Sequence, residues 1–143
     1  MDSHQIVFEI THKESIILKD FLKVLREERD AIISFSLEGI IRENNRKEEL
    51  LKKIEYLENE KEKMLKEITD QDSIFNSERW TSLSSDIRHT MKEINIALGK
   101  NMKLLSFSMD HVRSSIENVV GFINKATYGR KQQIISFFPS REI

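Results

Sequence analysis

The sequence predicts an all-α protein: three long helices forming an elongated antiparallel bundle or coiled coil, followed by a short non-helical C-terminal tail. Two observations carry this. The single proline is Pro139, near the end, so more than 130 residues run without the main helix breaker. Charged residues reach 33% and hydrophobic ones only 38%, a balance that suits long helices with much solvated surface and thin cores. A third observation sets the limits. Apolar side chains recur at helical spacing up to Ala126 and the pattern stops at Thr127-Tyr128-Gly129.

The first helix is expected over 3–35. Ile10, Ile17, Phe21, Val24, Ala31 and Phe35 form one row, with Leu18, Leu22, Leu25 and Ile32 beside it. Together they make a stripe wide enough to pack on more than one neighbour. Glu28 and Arg29 interrupt both rows and are expected at the stripe's edge, with their charged ends in water. The sharper alternative is a buried polar contact that fixes helix register.

Ser36 suits the N-cap of a second helix over 37–69, with Phe35 and Ile40 placed for a hydrophobic staple. Its later half follows the coiled-coil period through Ile54, Leu57, Met64 and Ile68, with Lys61 in one seam position. The run Arg42-Glu43-Asn44-Asn45-Arg46-Lys47-Glu48-Glu49 holds nothing apolar and is expected to be a solvated stretch. Residues 70–77 are rich in Asp, Ser and Asn and read as a loop.

The third helix, over 78–126, has the seam Trp80, Leu83, Ile87, Met91, Ile94, Leu98, Leu105, Met109, Val112, Ile116, Val119 and Ile123. A helix of about 45 residues spans about 70 Å, against about 50 Å for partners of about 30 residues. Part of the row 104–123 is therefore expected to be exposed, or covered by the tail, a second copy or a client. Asn101 falls on this seam, and Gly99 and Gly121 sit inside the helix, marking either close helix approach or a bend. The domain organisation expected is a helical bundle over 1–126 and a tail over 127–143 that retains Ile134, Ile135, Phe137 and Phe138.

With 23 basic and 24 acidic residues the chain lacks the charge excess of a nucleic-acid binder. No apolar run reaches membrane-spanning length, the N-terminus has no signal-peptide pattern, and cysteine is absent. A cytoplasmic protein without disulfides or membrane insertion is expected. No phosphate-binding glycine loop or nucleophile elbow is present. Glu9-x-x-His12 and Asp86-x-x-His89 have half of the ligand spacing of a di-metal bundle, but three helices supply too few carboxylates. No enzyme activity, cofactor or metal is expected.

Taken in order, Arg46-Lys47-Glu48-Glu49-Leu50-Leu51, Ile54-Glu55-Tyr56-Leu57-Glu58, Glu78-Arg79-Trp80, Asn101-Met102-Lys103-Leu104-Leu105 and Tyr128-Gly129 resemble the FlgN-type flagellar export chaperones. The resemblance extends from about Leu18 to Tyr128, and its most selective part is Asn-x-x-Leu-Leu ahead of Tyr-Gly. It implies a chaperone that binds the C-terminal segments of hook–filament junction proteins. Such a chaperone prevents their premature assembly and delivers them to the cytoplasmic domain of the flagellar export gate. Carried onto this chain, the client surface is Asn101, Leu104, Leu105, Met109, Val112, Ile116, Val119, Val120 and Ile123. The export-gate contact is Tyr128. The alternative is a structural coiled-coil protein without a client, forming a homodimer through the third helix.

Overall fold

A computed structural model describes residues 2–127 and places them in four helices: α1 (Ser3–Ile33), α2 (Leu37–Glu67), α3 (Asp72–Phe75) and α4 (Glu78–Thr127). The described residues fall into two units that divide between Leu105 and Ser106. No strand occurs among the described residues.

In the first unit α1 and α2 pack antiparallel, since Glu28 pairs with Lys47 at one end and Glu14 with Lys61 at the other. The early part of α4 runs parallel to α1: Ser15 Oγ donates to Asp86 at 2.8 Å, and fourteen residues up α1 Arg29 Nε donates to Asn101 at 3.1 Å. Two apolar layers hold the three helices. The lower one centres on Val7, Ile68 and Ile74, with Phe8, Met64, Leu65 and Trp80 packed around them. The other is built from Leu18, Phe21, Leu22, Leu25, Ile94 and Ala97, with Leu50, Ile54, Ile87 and Leu98 at its margin. Polar side chains at seam positions alternate with these layers.

The α1–α2 turn explains both adjoining helix ends. Ser36 N–H donates to Ala31 O at 2.9 Å and Phe35 N–H to Ile32 O at 3.1 Å, the paired bonds of a Schellman stop. The left-handed position (φ 55°) is occupied by Phe35 where glycine is usual, at a cost of roughly 1–2 kcal/mol. Ser36 Oγ then accepts from Gly39 N–H at 3.0 Å and caps α2. Gly39 is needed for space: a Cβ there would come within 2.9 Å of Ala31 Cβ.

Three expectations need correction. Residues 70–77 are not wholly loop, because α3 forms within them: Ser73 Oγ donates to Asp70 O at 2.9 Å and Gln71 Nε2 to Leu65 O at 2.8 Å. Ile74, fully buried, and Phe75, edge-on to Trp80 at 5.1 Å, anchor this turn among polar neighbours. The second correction concerns the charge run in α2, where Glu43 is buried and pairs with Arg42 and Arg46 while Arg46 also reaches Glu27. Counting back from Ile54 by three and four reaches Leu50, Lys47 and Glu43. The coiled-coil seam thus runs through the charges without a break.

The third correction is to the first part of the α4 seam. Its buried side chains are Thr90, Ile94, Ala97 and Asn101, whereas Met91 is exposed. The inward face of α4 here therefore runs through Thr90, Ile94, Ala97 and Asn101, one position before Met91 at its start. Gly99 is not a point of close approach, since a Cβ there would meet nothing within 4 Å. Gly99→Ala should stabilise the protein by about 0.5–1 kcal/mol through lower unfolded-state entropy and better helix propensity. A raised urea midpoint at unchanged m-value checks this.

Candidate functional site

The residues expected to bind a client divide into one that is internal and several that are not. Asn101 is 3% exposed. Its Nδ2 donates to Leu25 O at 2.8 Å and to Glu28 Oε1 at 3.0 Å, and its Oδ1 accepts from Arg29 Nε at 3.1 Å. Three of its four hydrogen-bonding capacities are thus used inside the bundle, which removes Asn101 from any client surface. Glu28 also pairs with Lys47 of α2 at 2.6 Å. The expectation of a solvated Glu28–Arg29 edge is corrected in favour of a buried contact joining all three long helices.

Leu104 is half-buried and Leu105 is exposed at the end of the first unit. In the second unit Met109, Val112, Ile116 and Val119 recur at steps of three and four along α4, each between 37% and 60% exposed. Ile123 continues that row, and Val120 beside it is half-buried. Because residues three and four apart share a helix face, these side chains form one apolar stripe. Phe107 and Phe122, which the seam spacing does not single out, are more exposed than any of them. At about 100° per residue Phe107 sits roughly half a turn from the stripe, with its ring stacked on His111. Large side chains off the strongest period carry little signal in a sequence. Tyr128, the expected export-gate contact, and Ile134, Ile135, Phe137 and Phe138 lie outside the described residues.

The Asp86-x-x-His89 half-motif for metal ligation is used otherwise. Asp86 accepts from Lys19 Nζ at 2.9 Å and from Ser15 Oγ, which hold its carboxyl below the usual range. His89 Nε2 sits 3.0 Å from Glu93. Among the described residues no three potential ligands converge. None of the described helices is long and apolar enough to cross a membrane.

A second polar layer separates the two apolar ones. Lys61 Nζ lies 3.1 Å from Glu14 and 2.7 Å from Glu58, and Glu14 is buried. Burial, followed by a hydrogen bond to Glu58, pushes the Glu14 carboxyl up to about 7 against the opposing pull of Lys61. The same hydrogen bond lowers Glu58. Lys61 and the two carboxylates thus form one interacting polar group between α1 and α2.

No curated protein and no solved structure matches the chain. A family model described as FlgN protein matches residues 1–134, nearly the whole length. On that match the chain belongs to the FlgN family.

Proposed function

We propose that this chain is a cytoplasmic flagellar export chaperone. It holds the C-terminal segments of hook–filament junction proteins, prevents their premature assembly and delivers them to the cytoplasmic domain of the export gate. The client surface proposed is Leu104, Leu105, Met109, Val112, Ile116, Val119, Val120 and Ile123, and the export-gate contact is Tyr128. Family membership over residues 1–134 is the observation that carries this reading. The exposed apolar stripe of α4 supports it.

The energetics suit a hold-and-release role. A disordered amphipathic client segment folds as a helix on such a stripe, i/i+3/i+4 anchors against i/i+3/i+4 anchors. Burying the exposed parts of five or six apolar side chains contributes on the order of 1 kcal/mol each. Ordering the client opposes this by about 2–5 kcal/mol, so the complex is of moderate affinity and can be released.

The test is titration of the purified chain with the C-terminal segment of a junction protein. Ile116→Asp/Val120→Asp should weaken binding at least about tenfold, since each buried carboxylate is costly to desolvate. Tyr128→Ala should leave client affinity unchanged and weaken docking to the export-gate domain. Absence of client binding by the unaltered chain would refute the proposal. A stable dimer insensitive to the Asp pair would favour the self-associating coiled coil.

A further inference from the structure

The first unit has an open groove of about 450 Å³ between α1 and α2, lined by Lys13, Ile16, Ile17, Lys52, Lys53, Tyr56 and Leu57. Lys13, Ile16 and Ile17 lie on the side of α1 away from Ser15 and Lys19, the residues that hold Asp86 of α4. The floor is apolar, and Ile16 and Tyr56 remain 47% and 64% exposed on it. Ion pairs are frequent among the described residues, and none involves Lys13, Lys52 or Lys53. Three lysines without a direct ion pair therefore rim an apolar floor, in a protein that pairs many of its other charges.

We infer that this groove docks an acidic amphipathic helix of a partner protein, apolar anchors on Ile16, Ile17, Tyr56 and Leu57 and carboxylates toward the three lysines. Charge selects this occupant. Isologous pairing of two copies through the groove would set like triads of lysine together. The chain's own residues 130–143 carry Arg130, Lys131 and Arg141 against Glu142, so they are repelled as well. The basic stretch is short: Glu9 and Glu60 lie one helical turn beyond it at one end, Asp20 and Glu49 at the other. The partner's acidic segment is therefore about two turns long, and further carboxylates outside it are disfavoured.

The experiment uses the full chain and a fluorescent synthetic helix of about 14 residues, with leucines at i, i+3, i+4 and i+7 and glutamates beside them. The control peptide replaces each glutamate by lysine. The acidic helix should bind saturably, at least about tenfold tighter than the control, and weaken as salt is raised. Lys52→Glu/Lys53→Glu should reduce affinity about tenfold and Tyr56→Ala by a similar factor, as for loss of a central aromatic anchor. Ile116→Asp/Val120→Asp should leave it unchanged, which separates this groove from the stripe on α4. Equal binding of both peptides, or undiminished binding to the Lys52→Glu/Lys53→Glu chain, overturns the inference. So does a dimer dispersed by Tyr56→Ala, which assigns the groove to a second copy. A cross-link from a photoreactive residue at position 56 to residues 128–143 would overturn it too, by assigning the groove to the tail.

Discussion

Lys47→Met is expected to destabilise the protein by about 3–5 kcal/mol, the cost of leaving a buried charge without its partner. Lys47 and Glu28 side chains are 17% and 9% exposed and meet at 2.6 Å. Without the ammonium group, the Glu28 carboxylate keeps only the Asn101 amide at 3.0 Å. One neutral donor does not replace the hydration lost on burial. For a chain of this size the melting temperature should fall on the order of 10 °C or more. The double variant Glu28→Gln/Lys47→Met separates the buried charge from mere loss of packing. The introduced glutamine amide would still accept from Asn101 while carrying no charge, and methionine keeps most of the lysine's aliphatic volume. The double variant should recover all but about 1–2 kcal/mol. Equal destabilisation of single and double variants would show that the position matters for its shape rather than its charge.

That network also shows where a sequence stops being legible. The 3-4 rows of α1 and the later half of α2 can be read directly, because Phe21, Leu25, Ile54 and Leu57 announce a buried face by hydropathy alone. Glu43 and Lys47 occupy the same seam, yet hydropathy marks them as solvated. A carboxylate becomes tolerable in a core only through a cation on another helix, and that cation lies 19 residues away for the Glu28–Lys47 pair. Asn101 is recognisable as a polar residue on an apolar seam, but whether it faces a client or Leu25 O depends on how α4 sits on α1. Continuing the heptad back from Ile54 is the signal that places Lys47 and Glu43 inside. The exposed row Met109–Val119 is visible as spacing, whereas the Lys13–Tyr56 groove is not. Its walls come from two helices whose pairing no local pattern records.

Between about pH 4.5 and 7 the protein should lose stability through Glu14 alone, by on the order of 2–3 kcal/mol. The carboxyl is pushed up to about 7 in the folded chain by burial and by its hydrogen bond to Glu58, against a reference value of 4.5. A folded-state value above the unfolded one means the folded chain holds the proton more tightly. The contribution is therefore complete below about 4.5 and is lost as pH rises through about 7. Groups lowered on folding act elsewhere: Glu27, Glu58 and Asp86 lose their contributions only as pH falls through values below the ordinary carboxylate range. Glu14→Gln isolates the effect, because the amide can donate to Glu58 as the protonated acid does and accept from Lys61. Urea unfolding at pH 5 should find the variant and the parent equal. At pH 8 the variant should be more stable by about 1–3 kcal/mol, having no charge to desolvate. An unchanged pH slope in Glu14→Gln would place the shared proton on another group. A variant less stable than the parent at both pH values would mean that the Glu14–Lys61 ion pair, rather than the protonated acid, is the form that holds α1 to α2.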